Sequence, residues 1–353
     1  MLEELLRAWD GEEVVAHYDH LSDTWIFACI HSTTLGPAGG GTRMKTYPDP
    51  SEALRDAMRL AAAMTLKMAA VDLPFGGAKA VLAVPGPMEG EGRRRLLLEY
   101  GRLVASLGGT FVTGPDVNTS PADMDVIAER CPYVVCRSAA RGGSGDPGPY
   151  TARGVFHGIR ATVKQVFGST DLEGRTVLVQ GLGDVGAPLA EQLAAAGARL
   201  LVSDLSSERI RRIADRMQVQ VIDADEVIGT ECDIYAPCAL GGILSAETIP
   251  RLRCRAVAGS ANNQLAEPQD GQRLSEAGIV YAPDFVINAG GVLYAWGLES
   301  LGWSRETIES KHAGIGDKLT EIYLRSAGEE ISTSEAAEQL ARARLEATPK
   351  ALA

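Results

Sequence analysis

No apolar run in this chain approaches the roughly 18 residues that a membrane-spanning helix needs, so no membrane role is expected. The opening, Met1-Leu-Glu-Glu-Leu-Leu-Arg7, lacks the basic start and apolar centre of a secretory signal, which leads us to expect a cytoplasmic protein. Positive charge is scarce: 34 Lys and Arg face 46 Asp and Glu, a formal net charge of −12. So acidic a chain is a poor non-specific ligand for nucleic acid, and no nucleic-acid partner is expected. The six cysteines (Cys29, Cys131, Cys136, Cys232, Cys238, Cys254) form no C-x-x-C, and the five histidines form no H-x-x-x-H. No metal is therefore expected, and the cysteines should be reduced thiols, mostly packed in cores.

What is present is enough for two domains: 353 residues, 45% hydrophobic and 23% charged. Val14–Tyr18 and Trp25–His31 have the composition of strands. Pro50 opens a helix that carries Leu54, Met58, Ala61, Ala62 and Thr65 at helical spacing and ends near Met68. Ala80–Val84 is a short strand, Glu91–Leu107 a helix stopped by Gly108-Gly109, and Ser120 an N-cap. Residues 138–149, rich in Gly and Pro, form the clearest break in the chain. After them strands and helices alternate, the pattern of a doubly wound parallel sheet, and residues 304–346 are helical and polar.

The most specific stretch is Thr176-Val-Leu-Val-Gln-Gly181-Leu-Gly183-Asp184-Val185-Gly186. An apolar run ends in G-x-G-x-x-G, an Ala-rich helix follows, and a second apolar run, Leu200–Ser203, ends at Asp204. This is the order of a dinucleotide-binding βαβ unit. Gly181 permits the tight turn, Gly183 lets backbone approach a pyrophosphate, and Gly186 lets the helix pack closely. Asp204 would accept hydrogen bonds from an adenosine ribose and repel a 2′-phosphate, which favours NAD over NADP; Arg209 lies close to it in sequence. The nucleotide domain thus comes second, and the first 135 or so residues supply substrate binding, with a cleft expected between the two.

Two lysines in the first region sit among apolar residues: Lys67 in Met64-Thr-Leu-Lys67-Met, and Lys79 in Gly76-Gly77-Ala-Lys79-Ala-Val, read as a Gly-Gly turn leading into a strand. A desolvated ammonium loses proton affinity and can act as a base near neutral pH. Asp116, in the turn-rich Thr113-Gly-Pro-Asp116-Val-Asn118-Thr119, is the expected counter-charge and proton partner. Ala258-Gly-Ser-Ala261-Asn262-Asn263 and Asn288-Ala-Gly-Gly291-Val292 follow strands of the nucleotide domain, where ligands of such sheets bind.

Taken with Leu35-Gly-Pro-Ala-Gly-Gly-Gly41-Thr-Arg43 and Ala236-Pro-Cys-Ala239, these motifs resemble the family of glutamate, leucine, valine and phenylalanine dehydrogenases, from about Thr33 to Gly302. The resemblance implies an α/β fold with an N-terminal substrate and oligomerisation domain (1–136, with helix 325–353 packing back on it) and a Rossmann-type NAD domain (137–324). It implies oxidation of an L-amino acid by NAD⁺ to a 2-oxo acid and ammonium by a homo-oligomer. By its analogy Lys67 binds the substrate carboxylate, Lys79 is the general base and Asp116 exchanges protons with the nitrogen. Gly40 and Asn262 would hold the carboxylate end, and Thr151 would touch the nicotinamide. Cys238, Ala239, Ala261 and Asn262 would join Asp184, Val185 and the glycines at the cofactor. One departure is Ala78, where relatives carry a third glycine before the lysine.

The resemblance implies that glutamate is not the substrate, because relatives that use it place a lysine where this chain has Gly39 or a neighbour. The same resemblance places Gly39, Met64, Gly114, Val292 and Ala295 in the side-chain pocket. Where leucine-using relatives carry larger residues at some of these positions, small ones leave room for an aromatic side chain, phenylalanine first. Pro115, Asn118 and Leu301-Gly-Trp303-Ser also look more like phenylalanine dehydrogenases. Leucine, valine, tryptophan and tyrosine are the alternatives, and a rotamer of Tyr294 or Trp296 would refill the space. A hydroxy-acid dehydrogenase would need a His or Arg electrophile by the nucleotide, and none is evident. A silent NAD-binding sensor would not need Lys67, Lys79 and Asp116 together.

Overall fold

A computed structural model describes residues 2–348. The chain divides into two compact units. One takes the residues up to Asp146, Ala295–Gly302 and the chain from Ala341; the other takes Pro147–Tyr294 and Trp303–Leu340. The first division falls inside the Gly/Pro-rich break, later than residue 136, and the last helix is shared between units at Leu340–Ala341.

The first unit contains α1 (Leu2–Trp9), β1 (Glu13–Asp19), β2 (Thr24–Ser32), β3 (Ala38–Lys45), α2 (Pro50–Ala70), β4 (Gly76–Ala83), α3 (Gly90–Ser106), β5 (Phe111–Pro115) and α4 (Pro121–Ala128). Its sheet runs β1-β2-β4-β3-β5, antiparallel across β1, β2 and β4 and parallel across β4, β3 and β5. The two faces follow the strand period of two. Ile26, Ala28, Ala78, Ala80 and Leu82 pack on Leu96, Tyr100, Met124 and Ile127 of α3 and α4. Phe27, Cys29 and Val81 face Ala53, Ala57, Met58 and Ala61 of α2.

Helix α2 begins where Asp49 accepts the Ser51 and Glu52 N–H groups and Pro50 fixes the first turn. At its other end Arg344 donates to the carbonyls of Ala69 (2.9 Å) and Leu73 (3.1 Å), so carbonyls that the helix leaves unpaired find a cation. Helix α4 carries the expected Ser120 cap, completed as a capping box by Asp123.

Two local expectations are corrected. Gly76-Gly77 is not a turn before a strand but the start of β4 itself, so Lys79 lies mid-strand. A Cβ at Gly76 would strike the Ser32 carbonyl, and one at Gly77 would strike Thr65 of α2. Likewise Thr113–Pro115 belongs to β5, and the turn begins only at Asp116.

The second unit holds α5 (Gly148–Phe167), β6 (Thr176–Gln180), α6 (Gly186–Ala195), β7 (Arg199–Ser203), α7 (Ser207–Ala214), β8 (Val219–Val221), β9 (Ile234–Pro237), β10 (Ala256–Val257), α8 (Asp270–Glu276), β11 (Val280–Tyr281) and α9 (Asp284–Ile287). After it α10 (Gly290–Glu299) passes from this unit into the first, α11 (Arg305–Glu329) returns, and α12 (Thr333–Ala347) follows. All strands are parallel, in the order β11-β10-β9-β6-β7-β8. The chain runs outward from β6 to β8 and then restarts on the other side of β6 with β9. That reversal is the switch point at which doubly wound sheets bind dinucleotides. All six cysteines are free, and all but Cys238 are buried.

Candidate active site

In the first unit the site is built on the α2-facing side of the sheet. Counting by two along the strands, Gly39, Gly41 and Arg43 of β3, Gly77 and Lys79 of β4, and Gly114 of β5 share that face. Gly41 stands level with Gly114. On the opposite face the Tyr100 hydroxyl joins those of Thr42 (2.8 Å) and Thr113 (2.8 Å), a buried triad that ties β3 to β5. Gly40 also points that way, and a Cβ there would run into the Ala78 carbonyl, so only its backbone is available to a ligand.

Lys79 and Asp116 come together. Lys79 Nζ is 3.2 Å from Asp116 Oδ1, with the lysine side chain 6% exposed. Arg43 Nε, 2.8 Å away, takes the other oxygen, Oδ2. The same guanidinium donates through NH1 to Asp56 Oδ2 (2.9 Å), which also accepts from Tyr47 (2.7 Å), while Arg59 holds Asp56 Oδ1. The Asp116 backbone N–H donates to Thr119 Oγ1, whose hydroxyl donates to the Thr42 carbonyl (2.7 Å). Asn118, in the left-handed region at φ 60, donates to the Met44 carbonyl. The loop after β5 is therefore stitched to β3, and the carboxylate has no freedom to swing away.

These contacts set the protonation states. Burial alone would raise the Asp116 carboxyl, but Lys79 and Arg43 outweigh it and hold it at about 2. Burial pulls the Lys79 ammonium below its ordinary range; Asp116 opposes that fall and Arg43 adds to it. The arrangement is a charged acceptor beside an ammonium whose hold on its proton is weakened, which suits proton transfer between the two and a substrate. Arg43, Asp56 and Tyr47 were not singled out from sequence. The available signal was an arginine in phase with two glycines along one short stretch.

Lys67 lies half-buried in the last turn of α2, the helix whose Thr65 rests on Gly77. Met64, one turn earlier, is also half-buried. Gly39, Gly114 and Ala295 are buried, but the space over the two glycines is not open. A Cβ at Gly39 would stand 2.7 Å from Trp296 Nε1 and 2.8 Å from Met68 Cε. One at Gly114 would stand 3.3 Å from Trp296 CH2 and 3.2 Å from Val135 Cγ2. The expected cavity is thus taken by the Trp296 indole. Val292 and Asn262 belong to the second unit.

In that unit Gly181 has φ 94, and a Cβ on Gly186 would strike the Gly181 carbonyl; Gly183 has open space where a Cβ would point. Val185 is the residue before α6, and Asp184 and Gly186 flank it, so backbone N–H groups at a helix start line the turn. Cys238 and Ala239, at the end of β9, lie against Gly186 and Gly181. The residues fit a dinucleotide pyrophosphate: an uncovered glycine above a helix N-terminus at the sheet's switch point. Asp204 is placed at the end of β7, but both its oxygens already accept backbone N–H groups, from Leu182 (2.7 Å) and Ser206 (2.7 Å). Each oxygen keeps a further lone pair for ribose hydroxyls. Arg209 comes within 3.7 Å of it. Thr151 lies in the first turn of α5, its hydroxyl on the Pro147 carbonyl and against Gly291. Ala261 is buried, and exposed Asn262 accepts from Asn288 Nδ2 (2.9 Å).

A Rossmann-type unit joined to an α/β unit that carries a buried lysine–aspartate pair defines an amino acid dehydrogenase, an oxidoreductase acting on a CH–NH₂ group. The Glu/Leu/Phe/Val dehydrogenase dimerisation domain matches residues 21–133, and the glutamate/leucine/phenylalanine/valine dehydrogenase domain matches 142–207 and 201–351. The chain belongs to this family, whose members use NAD(H). A leucine dehydrogenase of Geobacillus stearothermophilus is 42% identical over 98% of this chain and 94% of its own. A phenylalanine dehydrogenase of Lysinibacillus sphaericus is 40% identical over 92% and 86%. The structure of L-tryptophan dehydrogenase from Nostoc punctiforme superposes with a TM-score of 0.83 at 37% identity, covering 98% and 99%. Three different substrates at such similar identities leave the side chain to be argued from the pocket.

Proposed function

We propose that this protein catalyses the reversible oxidative deamination of an aliphatic L-amino acid, of leucine or valine size, to its 2-oxo acid and ammonium. The buried Lys79–Asp116 pair carries the reading. Lys67 binds the substrate carboxylate, helped by the backbone at Gly40. The Gly181–Gly186 turn would hold NAD⁺, which would supply the acceptor for the hydride that leaves the substrate Cα. Lys79 takes a proton from the water that adds to the resulting iminium carbon. Asp116, an ionised acceptor, passes protons to and from the nitrogen, so that the carbinolamine releases ammonium. Arg43 keeps the carboxylate facing Lys79 throughout.

Phenylalanine comes second in this reading. Its case rested on volume left by Gly39, Gly114 and Ala295, besides the likeness at Pro115, Asn118 and Leu301-Gly-Trp303-Ser, and Trp296 stands over Gly39 and Gly114. The match of residues 21–133 to a dimerisation domain supports a homo-oligomer built through the first unit. The test is the initial rate of NAD⁺ reduction at alkaline pH with L-leucine, L-valine, L-phenylalanine, L-tryptophan and L-glutamate. Leucine or valine should lead. Phenylalanine or tryptophan in front would overturn the aliphatic assignment, and no oxidation of any of them would overturn the function.

A further inference from the structure

We propose that Trp296 is a specificity-determining residue: its indole is a built-in plug that sets the size of the substrate side chain. The inference rests on the functional reading above.

The indole spans two neighbouring strands. Its Nε1 end covers Gly39 on β3, and its CH2 end covers Gly114 on β5. Glycine at those positions is what leaves room for so large a ring over the sheet, since a Cβ at Gly39 would overlap it. The small residues and the large one are therefore a single device, and the free volume is less than the glycines alone suggest. The ring is 4% exposed, and its Nε1 has no hydrogen-bond partner among the described residues. Buried indole N–H groups ordinarily find an acceptor. One left orphaned beside Gly39, on the face that carries Lys79 and Asp116, marks a ring kept for its bulk rather than for its hydrogen bond.

The ring is also held in place. Trp296 and Glu299 lie three residues apart on α10, hence on one side of the helix. Glu299 accepts N–H groups from Cys136 (2.7 Å) and Ser144 (3.0 Å). That clamp fixes the end of the helix from which the indole projects, so the plug is preorganised.

The test uses full-length protein with saturating NAD⁺ and compares kcat/KM for L-phenylalanine and L-leucine in the wild type, Trp296→Leu and Trp296→Phe. Removing the indole should raise the phenylalanine-to-leucine ratio by about tenfold or more in Trp296→Leu, the scale at which a hydrophobic pocket discriminates size. Trp296→Phe should move it part-way. Because Trp296→Phe keeps an aromatic packed on the glycines, it keeps the test decisive if Trp296→Leu does not fold. An unchanged ratio in a folded variant, with the wild type active, overturns the plug alone. A wild type that oxidises no amino acid overturns the functional reading and the plug with it.

Discussion

Replacing Arg43 with methionine removes the cation that bridges two largely buried carboxylates, Asp116 and Asp56. Stripping a partner from a buried pair costs about 3–5 kcal/mol. Here each carboxylate keeps other contacts: Asp116 keeps Lys79, and Asp56 keeps Tyr47 and Arg59. The expected loss at pH 7 is therefore about 2–4 kcal/mol. Its pH dependence follows from Asp116, whose carboxyl is held down from 3.8 to about 2 in the folded protein. A depressed carboxyl contributes stability that is complete above its unfolded value and is lost as pH falls through the folded one. The Asp116 contribution, roughly 2 kcal/mol in the wild type, is thus in force above pH 4 and fades toward pH 2. Without Arg43 that carboxyl rises toward 3.8, so the Asp116 part of the variant's deficit is constant above about pH 5 and shrinks below 4.

The same change acts on catalysis. Lys79 is faced by Asp116, Arg43 and Asp56, with Cys29 opposite it on β2. Losing the Arg43 charge lets the Lys79 ammonium hold its proton to higher pH. The rising limb of kcat/KM against pH should move to the alkaline side. Urea unfolding between pH 8 and 3, together with the kcat/KM profile, checks both parts. A stability change under about 0.5 kcal/mol, or an unmoved limb, would refute the reasoning.

Two further outcomes are expected. Arg344→Ala leaves carbonyls at the end of α2 without their donor and should lower stability by about 1–3 kcal/mol in urea unfolding, with NAD affinity unchanged. Gly186→Ala forces a methyl into the Gly181 carbonyl and should both lower Tm and raise the Kd for NAD⁺ by about tenfold or more in a fluorescence titration of the folded variant.

Motifs with strong local grammar were legible in the sequence. The Gly181–Gly186 turn, the Ser120 cap and the Pro50 helix start each rest on residues whose backbone preferences act alone. The glycine-rich stretch Ala38–Lys45 was not legible as a strand. Its three glycines have low strand propensity; Gly40 and Gly41 are there because the Ala78 and Pro115 carbonyls come too close for a Cβ, and Gly39 because Trp296 and Met68 do, demands set by neighbours distant in sequence. The same limit hid Arg43, whose two carboxylate partners come from α2 and from the loop after β5. It also left the pocket open: small residues at Gly39 and Gly114 imply space only if nothing else fills it, and Trp296 comes from a helix far along the chain.

The central claim is that Lys79, paired with Asp116, is the base of an amino acid dehydrogenase. The measurement that tests it most directly compares Lys79→Ala with the wild type, for NAD⁺ reduction by L-leucine and for NAD⁺ binding. Turnover should fall by about 10²–10⁴-fold while the Kd for NAD⁺ stays where it was, since the nucleotide turn lies in the other unit. Turnover near the wild-type rate in a folded variant would contradict the account.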